Sequence, residues 1–137
     1  MKRLLSIVLL FGIVVSSCGG TEGSSDSVPT VPAPSGHVEI VAQAGPVCPV
    51  ETDPPSPDCA PRPVPDAVMV VTNAAGSEVA RGTTAADGTL LLEVPGGELT
   101  ITPQAVEGLL GTAAPISVTI AADQTLNVTA DYDTGIR

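Results

Sequence analysis

The amino-acid sequence predicts an all-β fold. Residues 36–137 read as an antiparallel Greek-key β-sandwich of about seven strands, preceded by a signal peptide and a disordered linker. Three observations predict it. Short apolar segments with the two-residue period of strands recur at spacings of about 8 to 12 residues. The gaps between them carry turn residues, and no stretch after the first seventeen residues sustains helical spacing with caps.

The strands follow in order. HVEIVA (37–42) alternates apolar and polar side chains, and DAVMVVT (66–72) is a valine-rich run. SEVARG (77–82), GTLLLEV (88–94), ELTIT (98–102), ISVTIA (116–121) and TLNVTADY (125–132) complete the set, each fenced by Gly, Pro, Asn or Asp. Turn chemistry separates them at Asn73-Ala74-Ala75-Gly76, Asp87-Gly88, Pro95-Gly96-Gly97 and Ala122-Asp123. Gln104 to Leu110 comes nearest to a helix, but it is short and ringed by Pro and Gly.

The N-terminus sets the compartment. Lys2 and Arg3 precede an apolar run from Leu4 to Val15, broken by Ser6 and Gly12, and Ser16 and Ser17 lead into Cys18. The run is too short for a comfortable permanent span. Val-Ser-Ser before a cysteine resembles the bacterial lipobox. That resemblance implies cleavage of a signal peptide, residues 1–17, and diacylglycerol on Cys18 as the first mature residue. It places the protein outside the cytoplasm, anchored to a membrane by lipid. Ordinary signal cleavage nearby is the alternative, and it leaves Cys18 as a free thiol. Residues 18–35, rich in Gly, Ser, Thr and Pro, read as a flexible tether.

With Cys18 assigned to lipid, two cysteines remain in an exported domain where oxidation is allowed. Cys48 and Cys59 are expected to pair and close a proline-rich loop within residues 44–65. A ring of about 12 residues contributes roughly 2.5 to 3 kcal/mol on the loop-closure model. A metal site is the rival reading, but two thiols and His37 supply three soft ligands and no second ligand pair completes a tetrahedron. Pro54, Pro55 and Pro57 already restrict the ring, so the loop is expected to be a stiff protrusion. Its charges, Glu51, Asp53 and Asp58, together with Arg62 beyond it, are the candidate recognition residues.

Charge excludes one class of partner. Once residues 1–17 are removed, Arg62, Arg81 and Arg137 face fifteen acidic side chains, a net charge of about −12. Such a chain repels nucleic acid and anionic headgroups. Aromatic residues are nearly absent, since Phe11 falls in the signal and Tyr132 alone remains. The core must therefore be built from small aliphatics, which is marginal for a unit of about 100 residues without a staple.

TTAADGTLLLEVPGGELTIT, residues 83–102, carries a Thr-x-x-Asp-Gly turn into a strand, a Pro-Gly turn out of it and a second strand at once. This order resembles the carboxypeptidase regulatory-like or transthyretin-like (prealbumin-like) domains, and GHVEIVAQAGPVCPV and DAVMVVTNAAGSEVA look like their first strands. The chain departs at Leu90 and Leu99, where those domains usually carry aromatics. The resemblance implies a surface module without catalytic residues of its own. The related collagen-adhesin stalk domains stiffen themselves with a Lys–Asn isopeptide bond, which a mature chain without lysine cannot form.

Sharper chemistry finds little support. Asp133-Thr134-Gly135 spells the aspartic-protease triplet, but that mechanism needs two such carboxylates and no second copy exists. His37 is the sole histidine, so a serine mechanism lacks a base beside a nucleophile, and His37 is expected to be an exposed lead-in residue. Asp131 and Asp133, with Asp87 or Glu107 from another loop, are weak Ca²⁺ candidates, for they lack the dense D-x-D-x-D run of such sites. Asn127-Val128-Thr129 fits a glycosylation sequon but falls in a predicted strand. No cofactor is expected. Two functions remain. One is a non-catalytic, lipid-anchored envelope module acting in structural support or in recognition of a protein or small ligand. The other is a small acidic carrier of a cation or other ligand.

Overall fold

The computed structural model describes residues 33–50 and 52–136. The signal segment, Cys18, the linker through residue 32, Glu51 and Arg137 lie outside the described residues. The strands are β1 Ser35–Gly45, β2 Arg62–Pro63, β3 Val68–Asn73, β4 Glu78–Thr83, β5 Thr89–Pro95, β6 Gly97–Pro103, β7 Ile116–Ile120 and β8 Thr125–Asp133. A single 3₁₀ turn, Pro57–Cys59, lies between β1 and β2, and the described residues contain no α-helix.

Two four-stranded sheets face each other. β1 is central in the first, with β8 on one edge and β5 followed by β2 along the other. The second runs β4-β3-β6-β7. Strand alternation explains which faces meet. Val38, Ile40, Ala42 and Ala44 of β1 point inward and are buried, opposite Met69 and Val71 of β3 and Leu99 and Ile101 of β6. A slip of one residue in β1 would exchange these for Glu39, Val41 and Gln43, so the register is strongly fixed. Each buried Val, Leu or Ile contributes about 1.5–3 kcal/mol. Tyr132 and Met69 are the bulkiest departures from an otherwise small-aliphatic interior.

Gly82 shows how tightly the sheets close at one side. A Cβ there would lie 2.8 Å from Leu90 Cδ1 and from Leu92 Cδ2, so its absence lets β5 pack onto β4. Leu99 is buried and Leu90 half-buried.

Three expectations need correction. There are eight strands, not seven. The additional strand is β2, two residues inside the proline-rich stretch that pair Arg62 with Ala44 and Pro63 with Gln43, too short for any period to register. Nor is the pairing antiparallel throughout, because β1 and β8 run parallel from His37↔Thr125 to Gly45↔Asp133. The first and last strands share no hairpin, so nothing forces opposite directions. The β7–β8 turn delivers β8 beside the start of β1, where Asp123 N–H donates to Ser35 O at 2.8 Å and His37 N–H to Gln124 O at 2.7 Å. His37 is itself a half-buried strand residue, paired with Glu93 on β5, rather than an exposed lead-in.

Candidate functional site

Strand directions sort the loops into two groups. β1 starts at the end of the sandwich that also holds the 74–77 hairpin turn, Gly96 and the 121–124 turn. It finishes at the opposite end. There the 46–61 loop begins, the 84–88 turn docks on Ala42, and the 104–115 connection leaves β6. The two longest connections among the described strands therefore share the end remote from the start of β1.

The first of them is closed by the expected disulfide, Cys48 to Cys59, with S–S 2.07 Å and a Cα–Cα distance of 5.3 Å. Asp53 and Asp58 on the ring and Arg62 beyond it are exposed. Glu51, named with them, lies outside the described residues. An open hollow of about 360 Å³ lies against the ring, lined by Pro55 and Pro57 within it and Pro61 just beyond.

A larger cleft, about 620 Å³, opens beside the ring. One wall is Arg62–Asp66, the other Ala105–Leu109, and Ala44 of β1 contributes to the base. Both walls are pinned to the sandwich. Val64 N–H donates to Ala42 O at 2.9 Å, and Asp66 N–H to Thr84 O at 3.1 Å. Thr84, the one buried polar side chain among the described residues, donates from Oγ1 to Val64 O at 2.7 Å and accepts from Ala67 N–H at 2.9 Å. Across the cleft, Gln104 N–H donates to Val68 O and Tyr132 Oη donates to Gln104 O, both at 2.8 Å. Leu110 N–H donates to Asp133 O at 2.7 Å and fixes the far end of that wall. Loops held at both ends keep a cleft open without a ligand, which lowers the ordering cost of binding.

The cleft lining carries no histidine, thiol or hydroxyl. Its polar groups are Arg62, Asp66 and Glu107, and the rest is Ala, Val, Pro, Gly and Leu. It suits binding by charge and apolar contact, not nucleophilic chemistry. Hydrogen bonds from Thr89 hold the Asp87 carboxyl below its ordinary range, the bidentate Arg81 guanidinium does the same for Glu78, and burial pushes the Tyr132 phenol up.

The weak Ca²⁺ candidates are not brought together. Asp131 Oδ1 accepts from Gln43 Nε2 at 2.6 Å across the β1–β8 pair, and Asp133 Oδ1 accepts from Gly135 N–H at 2.7 Å. Asp87 is spent on Thr89, and Glu107 sits on the cleft wall. Among the described residues no three His, Cys, Asp or Glu side chains form a group able to hold a metal ion. In Asp133-Thr134-Gly135, Thr134 donates from Oγ1 to Pro46 O and from its N–H to Gly45 O, so the triplet fastens the end of β8 to the end of β1. Asn127 and Thr129 are exposed on β8. Reading by residue type singled out Arg62 and Glu107 but not their relation, and it missed Asp66, Val106 and Leu109. A bend residue and two short aliphatics carry no chemical signal until the fold sets segments some forty positions apart face to face.

No family model and no curated protein matches this chain. Among solved structures it is similar to the TIE protein of Bacillus anthracis, at 18% identity over 73% of this chain and 17% of that one, with a TM-score of 0.56. It is similar to the minor pilin of Streptococcus agalactiae, at 14% identity over 74% of this chain and 45% of that one, TM-score 0.57. It is also similar to a variant of the shaft pilin SpaA from Lactobacillus rhamnosus GG, at 13% identity over 72% of this chain and 50% of that one, TM-score 0.57. These likenesses show the β-sandwich fold. The chain spans half or less of the length of each.

Proposed function

We propose that the chain is an exported, non-catalytic β-sandwich module of the cell envelope, held to a membrane by lipid at Cys18, that presents its remote end for recognition. One observation carries the recognition reading: the stapled loop and the 104–115 connection converge at the end of the sandwich opposite the start of β1. The disulfide supports an oxidising location. Likeness in fold to two pilins supports a surface role, and the succession of strands supports the transthyretin-like resemblance. The acidic side chains are spread over the described surface rather than gathered, which favours recognition over cation carriage.

Site-specific photo-crosslinking in intact cells tests the reading. A crosslinker at Asp53 or Asp58 is expected to capture a defined envelope partner that the same group at Asn127, on the flank of β8, does not. Equal capture from all three positions would remove the recognition role. Metabolic labelling with a fatty-acid analogue tests the anchor, with label expected on the native chain and absent from Cys18→Ala.

A further inference from the structure

The charge pattern of the 620 Å³ cleft selects among ligands. Pro63 and Pro65 are exposed and Val106 and Leu109 half-buried along it, while Ala44 and Val64 are buried beneath, so it offers apolar surface as well as charge. Arg62 stands on one wall and Glu107 on the other, with Asp66 at the far end of the Arg62 wall. Arg62 forms no ion pair among the described residues, whereas Arg81 is engaged by Glu78 at 2.8 Å. A polyanion would meet one guanidinium, two carboxylates and a strongly acidic protein, and is repelled. A bare divalent cation would find two carboxylates beside a fixed positive charge, too few oxygens for a calcium site. A molecule with one carboxylate, one ammonium group and an apolar middle satisfies every wall at once.

We infer that this cleft binds a short apolar peptide with free ends, its carboxylate on Arg62 and its amino group on Glu107 and Asp66. A guanidinium offers a carboxylate two parallel donors, which gives the contact direction as well as strength. The volume falls in the range that accommodates small ligands. The inference deepens the recognition reading and rests on it for the remote end being a binding surface.

The disulfide has a place in this site. Arg62 follows Cys59 by three positions, and β2 rests on two register pairs, one of them at Pro63, which has no N–H to donate. Unstapled, the long 46–61 connection would have to close on that short pairing and on the Val64 N–H to Ala42 O bond just beyond it. The bridge shortens the free connection and holds the Arg62 wall in place.

Calorimetric titration of the purified full chain with trileucine, its C-terminal amide and its N-acetyl form tests this. Saturable binding of trileucine is expected, weakened about tenfold or more by amidation and, separately, by Arg62→Gln. In Arg62→Gln the free and amidated peptides should bind alike, and Glu107→Gln should lose discrimination against the N-acetyl form. Cys48→Ser/Cys59→Ser should weaken binding while the far-ultraviolet spectrum stays that of the folded sandwich. No saturable heat with trileucine, or equal affinity for the free and amidated peptides in the parent protein, would overturn the site. Such a result alongside specific crosslinks from Asp53 removes the peptide site and leaves the recognition reading standing. Peptide binding without crosslinks keeps the cleft as the recognition site and removes the stapled loop as a partner contact.

Discussion

Thr84 Oγ1 donates a 2.7 Å hydrogen bond to the carbonyl oxygen of Val64, twenty residues earlier, and the same oxygen accepts from Ala67 N–H at 2.9 Å. One buried hydroxyl thus satisfies two backbone groups of the bend that leads from β2 into β3. Thr84→Val keeps the shape and removes both bonds, leaving a donor and an acceptor buried without a partner. The expected loss is about 2–3 kcal/mol of unfolding free energy. Thr84→Ser keeps the hydroxyl and should recover most of it. Urea denaturation of the two variants checks this, and equal midpoints would remove the hydroxyl from the account.

The staple offers a second test. Replacing both Cys48 and Cys59 with serine is expected to cost about 3 kcal/mol, the loop-closure value for a ring of this size. The domain margin is about 5–15 kcal/mol, so the sandwich should stay folded. Amide exchange localises the effect. Val64 N–H, bonded to Ala42 O at 2.9 Å beside β2, should lose protection, while Ile40 and Ile101 in the sheet interior should lose it only with the global change. Uniform loss across the chain would mean that the bridge supports the whole fold rather than one wall.

The sequence disclosed the strands that bury one face and hid what depends on distant partners. Alternation in HVEIVA and ELTIT is a local consequence of one wet face and one dry face, so β6 is legible to within one residue of its ends and β1 to within three. The Asp87-Gly88 turn is legible for the same reason, its chemistry being contained in neighbouring residues. β2 is not, because Arg62 and Pro63 become a strand through Ala44 and Gln43 alone. The parallel course of β8 along β1 depends on where β7 leaves the chain, and alternation carries no direction. Half of the candidate site was visible in the same sense. Paired cysteines announced the ring, whereas Thr84 in TTAADG looks like any turn threonine until it meets Val64.

Gly76 and Gly88 separate strain from collision. Both have positive φ, +80° and +76°. A Cβ at Gly76 would meet nothing within 4 Å, but at Gly88 it would lie 2.5 Å from Ala42 O and 3.1 Å from Val64 N. Gly76→Ala should therefore cost the left-handed penalty alone, about 1–2 kcal/mol. Gly88→Ala adds a backbone clash where Ala42 N–H donates to Gly88 O at 2.8 Å, and a loss of about 3 kcal/mol or more is expected. Thermal melts of the two variants compare them directly, and equal shifts would show that the turn yields without cost.

Tyr132 gives the pH dependence. Its phenol is buried at the end of β8, donates to Gln104 O at 2.8 Å, and is pushed above its ordinary pKa by burial, which disfavours the phenolate. A raised folded-state pKa means that the stabilisation is fully present below the unfolded value near 10 and is lost as pH rises through the folded value. Stability should thus be flat across neutral pH in this respect and fall on the alkaline side. Because the sequence has one tyrosine, the ultraviolet phenolate band reports this group alone. It should titrate later in the folded protein than in urea. Tyr132→Phe should remove the alkaline fall and cost about 0.5–1.5 kcal/mol at neutral pH, the net worth of one hydrogen bond. Because that bond anchors the start of the 105–109 wall, the substitution should also loosen the cleft at Gln104. A phenolate that forms at the same pH in the folded and urea-unfolded chains would refute both the burial and the anchor.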